Sequence, residues 1–564
     1  MMVQPPVTTT VSEALGTALA RQGADVAFGV VGSGNFHITN ALIAGGMRFV
    51  AARHEGGAAT MADAYARARG SLGVLSVHQG PGLTNALTGI TEAAKSRTPL
   101  LVLAGETAAG AVGSNFRIDQ WALAASVGAV PDRIHSPETA ADDLARACRT
   151  ALSGRTVVLN LPLDVQAAAI PVAARAPALR PRPPMASPAA VAELADLLAA
   201  ARRPVFVGGR GAWLAGAGAA LRELAEATGA LLATSVVARG LFTGDPFDLG
   251  VSGGFATPLA AELIEAADLL VGWGCSLNRW TLAHGTLVGA DAKIVQVDVD
   301  ELALSRHVPA DLGVVGDVAE TARAVAAELA RRGHRSTGRR EPKLAERISR
   351  EGRWRDLPYD DDSDGARIDP RTLSIALDDL LPDERTITID SGHHLGYPSA
   401  FLSVPQAGAL LFTQSFQSVG LGLSTAVGAA LARPGQVTVA AIGDGGVLMG
   451  IADLETAARL GLGLLIVVYD DEAYGAEVHH FGPGGHPLDT VTFPPADVAA
   501  IARGFGCEGI TVRRPEDLAP VANWLAGPRN RPLLVDAKVT SSTTAWWLKN
   551  AFSEGRTASC AASG

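Results

Sequence analysis

Cysteine is scarce in this chain of 564 residues: Cys148, Cys275, Cys507 and Cys560 stand far apart, with no CxxC pair. A disulfide framework and a structural zinc site are thereby excluded as the basis of the fold. A large surplus of one charge is also missing. The formal net charge of −10 is mild for this length, and it gives no reason to expect a nucleic-acid or membrane-surface partner. No uncharged apolar run reaches the roughly 18 residues of a membrane span. The opening MMVQPPVTTTVSEAL has no basic segment followed by an apolar one, so no secretory signal is read. The expectation is a soluble, cytoplasmic protein. Short-period repeats are absent as well. What is present is a globular composition, 48% hydrophobic and rich in Ala and Gly. The chain is too long for one core, and roughly 100–200 residues per domain implies three or four domains.

Thr10-Val-Ser-Glu13 reads as a capping box opening a first helix. Short apolar runs then alternate with amphipathic stretches. VAFGVVG (26–32), GVLSVH (73–78) and PLLVLAG (99–105) lie in a first block. RPVFVGG (203–209), ALLATSV (230–236), DLLVGWG (268–274) and KIVQVDVD (293–300) lie in a second. TITID (386–390), VTVAAIGDGG (437–446), LLIVVYDD (464–471) and PLLVDAKV (532–539) lie in a third. Strands alternating with helices imply an α/β fold of three blocks, each a mainly parallel sheet flanked by helices. Residues 169–188, rich in Pro, Ala and Arg, read as a linker, a charged stretch at 331–355 leads out of the second block, and the tail beyond Asn550 reads as loosely ordered.

The strongest local signal is Gly443-Asp444-Gly445-Gly446, which closes an apolar strand. It is followed 27 positions after Asp444 by Asp471, at the end of another. Glycines there let backbone N–H groups approach an anion, and the next helix presents its N-terminus to it. Asp444 and Asp471 supply hard oxygens, and the Ala473 carbonyl can complete the protein share of a magnesium site that also takes phosphate oxygens. Far away stand Arg53-His54-Glu55-Gly-Gly-Ala-Ala and His78-Gln79-Gly80-Pro81-Gly82. Glu55 also opens an Ala-rich helical pattern, where an acid favours the helix dipole.

Together these segments resemble the thiamine diphosphate-dependent enzymes of the acetolactate synthase, benzoylformate decarboxylase and pyruvate decarboxylase family, over nearly the whole chain. The resemblance implies a pyrimidine-binding domain (1–170), a Rossmann-like middle domain (189–335) and a diphosphate-binding domain (360–545). It implies thiamine diphosphate and Mg2+ as cofactors. Gly443, Gly445 and Gly446 would cradle the diphosphate, and Asp444, Asp471 and Ala473 would hold the metal. The Glu55 carboxylate would bond N1′ of the aminopyrimidine, so that the C2 ylide forms and an enamine follows. The one departure in this motif is Asp470-Asp471 in place of the family's Asn-Asn. The extra carboxylate calls for the metal, a nearby cation or a shared proton to absorb it.

Other matches fill in the site. Gln417 would touch the pyrimidine edge through its carbonyl, and Val419 would wedge the cofactor into its bent form. His393 and His394 are donors suited to phosphate oxygens, and Tyr474 fits the family pattern beside them. Ser33, in Gly32-Ser33-Gly34, and His78 fall near the spacings of the benzoylformate decarboxylase pocket. Glu477 falls where pyruvate decarboxylase carries a catalytic glutamate. In the segment that matches the arginine-bearing loop of acetolactate synthases, Ser276 and Trp280 replace arginines, which argues against that activity and against FAD. Gly208-Gly209-Arg210-Gly211 is a bare dinucleotide hint, and Trp546 and Trp547 read either as a lid or as core.

The expected function is a decarboxylase or carboligase acting on 2-oxo acids or related ketones. Alternatives are a lyase or hydrolase splitting 2-hydroxyacyl-CoA or 1,2-diketones, a nicotinamide dehydrogenase, and a non-catalytic cofactor-binding paralogue. The family places its cofactor between subunits, which implies a homodimer at least, and a homotetramer as in relatives.

Overall fold

The computed structural model describes residues 8–171, 182–336 and 338–551. Residues 552–564, which include Cys560 and nearly all of the tail read as loose, lie outside that range, as do 172–181 of the linker. The linker's opening is more ordered than its composition suggests. Ala169–Pro171 forms a short strand antiparallel to Thr8–Thr10, tying the end of the first block to its start. The capping box is present: Glu13 N–H donates to Thr10 Oγ1 at 3.3 Å, and Thr10 N–H donates to Glu13 Oε2 at 2.8 Å.

Three six-stranded sheets form the body, and every strand pair within them is parallel. In the first the spatial order is Arg48–Ala51, Val26–Gly29, Gly73–Val77, Leu100–Glu106, Thr156–Pro162, Val130–Arg133. In the third it is Leu410–Phe412, Arg385–Ile389, Val437–Gly443, Leu464–Asp470, Leu533–Lys538, Glu508–Val512. Numbered from its own first strand, each of these reads 2-1-3-4-6-5. The middle sheet runs Asp248–Val251, Leu231–Thr234, Pro204–Gly208, Leu269–Trp273, Lys293–Asp298, Leu312–Val315, the doubly wound order 3-2-1-4-5-6. In open sheets of this kind ligands lie beyond the carboxyl ends of the strands, where the order reverses. Those crevices open between Val26–Gly29 and Gly73–Val77 in the first sheet, and between Arg385–Ile389 and Val437–Gly443 in the third.

The first and third blocks share one core. Helix Glu55–Arg69 packs on helix Gly422–Ala432, with ten buried residues on each. Its Ala and Gly content lets the backbones come close, since interaxial distance follows the side chains at the contact. A Cβ on Gly428 would stand 2.3 Å from the Met61 carbonyl oxygen.

Candidate active site

The third sheet builds one half of the site. At its switch point the strand Val437–Gly443 runs without a break into helix Asp444–Met449, with Gly443 as the N-cap. Asp444 is therefore buried at a helix start beside the end of the next strand. That strand, Leu464–Asp470, delivers Asp471, whose Oδ2 lies over Gly475: a Cβ there would meet it at 2.3 Å. Burial, then the charges of Asp471 and Asp470, push Asp444 up to about 8. Both carboxylates line one cavity, and a cation bound between them would favour the ionised form of Asp444. Among the described residues no three His, Cys, Asp or Glu side chains are grouped to hold an ion on their own. Two carboxylates and the Ala473 carbonyl leave positions for phosphate oxygens and water, the set magnesium prefers. The residues present thus fit a metal-bound diphosphate.

The surrounding turns are held from below. Asp390 is fully buried and accepts N–H groups of Ser391 (2.9 Å), Gly420 (2.9 Å) and Leu421 (3.2 Å). It thereby joins the switch-point loop to the turn that carries Gln417 and Val419. Gln417 sits at φ 65°, a strained conformation for a non-glycine residue, and its carbonyl accepts from Ser391 Oγ at 3.4 Å. The Val419 side chain is 37% exposed over the crevice. Gly445 and Gly446 leave no room for side chains, since a Cβ would fall 2.8 Å from the Tyr474 ring and 2.5 Å from Asp390 Oδ2 respectively.

The histidine pair divides its partners. His393 Nδ1 lies 3.8 Å from Asp471, and its Nε2 accepts from Ala545 N–H at 3.4 Å. His394 stacks on Tyr469, and burial lowers its pKa to about 4. Its Nε2 lies 3.4 Å from the Ala441 carbonyl, so the neutral ring donates there. Of the two tryptophans near the end, Trp547 is buried and lines the crevice, and Trp546 packs partly buried against the same core. Trp547 is 3% exposed, packs on Phe255, Trp280 and His393, and fits only because residue 396 is Gly. His479 adds a fifth ring, 4.3 Å from that of His393.

The first sheet builds a separate half. Gly34 N–H donates to His78 Nδ1 at 2.9 Å, so the Gly32-Ser33-Gly34 loop wraps the histidine and leaves its Nε2–H free. Burial lowers the His78 pKa, and the Glu55 charge opposes that shift. Glu55 is the first residue of its helix, behind the N-cap His54. Its Oε2 accepts from Asn85 Nδ2 at 3.0 Å. Ser33 itself is exposed.

A cavity of about 2150 Å³ is lined by His393, His394, Gln417, Val419, Gly443, Asp444, Gly445, Gly446, Asp471, Ala473, Tyr474 and Glu477. Every third-block residue named as a metal, cofactor or catalytic candidate thus meets there. Ser33, Glu55 and His78 do not line it. The cavity continues to the middle sheet's switch point, where Arg210 reaches across to the Ser96 carbonyl of the first block. Sequence reasoning gave no individual role to Asp390 or Asn85, which lie in its matched segments, and missed Lys538 and Arg367. The last two answer the extra carboxylate: Lys538 pairs with Asp470, and Arg367 pairs with Glu472 at 2.6 Å.

Two nucleotide-type crevices of one topology, one with an acid and a histidine and one with a carboxylate pair for a metal-bound phosphate, define a cofactor-dependent enzyme. Three family models match the chain in order: the N-terminal TPP-binding domain of thiamine pyrophosphate enzymes at residues 9–126, their central domain at 191–325, and their C-terminal TPP-binding domain at 390–537. A Pseudomonas aeruginosa protein described as a probable 2-ketoarginine decarboxylase is 31% identical, over 92% of this chain and 91% of its own. The acetolactate synthase large subunit of Parasynechococcus marenigrum is 29% identical over 95% and 88%. A sulfoacetaldehyde acetyltransferase of Rhodobacter capsulatus is 28% identical over 90% of each chain. The chain belongs to the thiamine pyrophosphate enzyme family. It is a thiamine diphosphate-dependent enzyme acting at carbon–carbon bonds, with decarboxylase and carboligase chemistry, and the dehydrogenase reading falls away.

Proposed function

We propose that this enzyme uses Mg2+ with thiamine diphosphate to break the bond beside the carbonyl of a 2-oxo acid, and that it works as a homodimer at least. The observation that carries the metal is Asp444 and Asp471 at the ends of neighbouring strands on one cavity wall, the charge of Asp471 helping to push Asp444 up to about 8. Bound thiamine diphosphate supplies the nucleophilic carbon and the electron sink. The chain's own residues do the rest. Asp444, Asp471 and the Ala473 carbonyl hold the cation, and Gly443, Gly445 and Gly446 leave backbone room for the diphosphate. Val419 and the Gln417 carbonyl would hold the ring portion of the cofactor. Glu55, steadied by Asn85, exchanges a proton with the pyrimidine nitrogen. His78, with Nε2–H free, and Ser33 face the substrate carboxylate from one side, and Glu477 delivers a proton from the other.

The separation of Ser33, Glu55 and His78 from the cavity supports a site completed by a second copy. Large apolar side chains flank both halves: Phe36 and Trp121 near one, Leu448 and Met449 near the other, each more than 40% exposed. A tetramer is the further step of the same reading. All strands of the three sheets fall within 1–170, 189–335 and 360–545, which supports those domain limits. The buried free thiols of Cys148, Cys275 and Cys507 fit a reducing, cytoplasmic setting. Among the described residues no helix is long and apolar enough to cross a membrane.

The test is uptake and turnover. The purified protein should bind thiamine diphosphate only with Mg2+ present. It should release CO2 from at least one member of a panel holding pyruvate, benzoylformate and a guanidino 2-oxo acid. Binding without Mg2+ sinks the metal assignment, and cleavage of 1,2-diketones with no CO2 from any 2-oxo acid sinks the substrate class.

A further inference from the structure

Three consecutive acids, Asp470, Asp471 and Glu472, occupy the turn that would present the metal ligands. Asp470 places a second carboxylate next to Asp471, and the ligand to be held there is itself an anion. Like charges packed this closely destabilise one another unless a cation intervenes. The structure contains two such cations, each from a different element.

Lys538 ends strand Leu533–Lys538, directly beside Asp470 in the parallel register. Its Nζ donates to Asp470 Oδ2, donates to the Ala496 carbonyl at 3.1 Å and lies 3.2 Å from Asp536. Lys538, Asp470 and Asp536 are all at most 5% exposed. Arg367 bonds Glu472 at 2.6 Å and also donates to the backbone carbonyls of Asp470 (3.4 Å) and Val539 (3.1 Å). The backbone between is under strain: Glu472 has φ 57°, and its N–H donates to Asp470 Oδ1 at 3.1 Å. The outer two acids are thus each paired with a cation, Lys538 being shared with Asp536, while Asp471 lines the cavity together with Asp444.

We infer that Lys538 is a positioning residue for the cofactor. It is the counter-cation that cancels Asp470, so that the diphosphate meets only the metal and its two carboxylate ligands. This rests on the thiamine diphosphate and Mg2+ reading above. It differs from a merely structural ion pair in the sign of its effect. Without Lys538 the site gains a net negative charge, which repels the diphosphate but not the bare cation. A loosened fold would weaken both.

The test measures thiamine diphosphate affinity at saturating Mg2+ by fluorescence quenching, and Mn2+ affinity without thiamine diphosphate by electron paramagnetic resonance. In K538M the first should fall about tenfold or more while the second holds or rises. The neutral pair D470N/K538M should return the first to within about twofold of wild type. Wild-type affinity in K538M overturns the role, as does loss of Mn2+ and thiamine diphosphate together with no rescue in the double variant. Should K538M not fold, D470N decides: thiamine diphosphate should bind severalfold tighter, and an unchanged affinity overturns the role. A wild-type protein that takes up no thiamine diphosphate sinks the functional reading itself, and this role with it.

Discussion

At the scale of single residues, Glu55 and Asp453 make different claims. Glu55 is proposed to act only on the proton of the ring. Glu55→Gln should therefore lower kcat about a hundredfold or more while thiamine diphosphate still binds. Equilibrium binding beside steady-state kinetics checks this, and a near-normal kcat removes Glu55 from the mechanism. Asp453 lies at the junction of the first and third blocks, accepting from Ser424 and pressed against Gly57. Burial is the main cause that raises its pKa to about 6. In the unfolded chain the value is about 3.9. The folded value is the higher one, so the folded state gains stability from the proton at low pH. That stability is complete below about 4 and lost as pH rises through 6. Asp453→Asn should stabilise the protein by about 2–3 kcal/mol at pH 8 and change little at pH 4. Denaturant titrations at the two pH values measure it.

At the scale of elements, glycine decides which parts can approach. Gly475→Ala would drive a methyl group into Asp471 Oδ2, 2.3 Å away, and into the His393 side chain at 3.1 Å. Mg2+-dependent uptake of thiamine diphosphate should weaken about tenfold or more, with the melting temperature little changed. Gly428→Ala meets the Met61 carbonyl at 2.3 Å, where backbone cannot yield. Its expected cost is about 1–3 kcal/mol or more, read from the melting temperature.

Legibility followed the same physics. The apolar runs named in the sequence all became inner strands, because a strand buried on both faces must be apolar throughout. The edge strands Arg48–Ala51, Val130–Arg133, Asp248–Val251, Leu312–Val315 and Glu508–Val512 are interrupted by polar residues, glycine or proline and none is buried throughout, and the sixth, Leu410–Phe412, is buried but only three residues long, so none leaves such a signature. Gly443-Asp444 and Asp471 were readable as a pair because they close two successive apolar strands, with only two short helices between them. Lys538 was not, since its meeting with Asp470 depends on which strands are neighbours. Trp547 stayed open for a similar reason: only the missing side chain at Gly396 shows where its ring docks.

At the scale of the whole molecule, the division of the site predicts a mixing experiment. Glu55→Gln and Asp444→Ala should each be inactive alone. If the two halves meet between chains, a hybrid dimer keeps one intact site, with Glu55 from one protomer and Asp444 from the other. Random reassortment of equal amounts should recover about a quarter of wild-type activity. No recovery after verified exchange of protomers places both halves in one chain.

The shared 2-1-3-4-6-5 order of the outer sheets carries an evolutionary corollary. A single ancestral module, copied and then specialised, suffices to make both jaws of the clamp. What tells the copies apart lies in the loops following their strands: Gly32-Ser33-Gly34, Glu55 and His78 in one, Asp390 to His394, Gln417, Val419, Asp444 and Asp471 in the other. New substrates can then be explored by rewriting a few dozen loop positions on an interchangeable chassis, leaving the twelve strands of the two modules untouched.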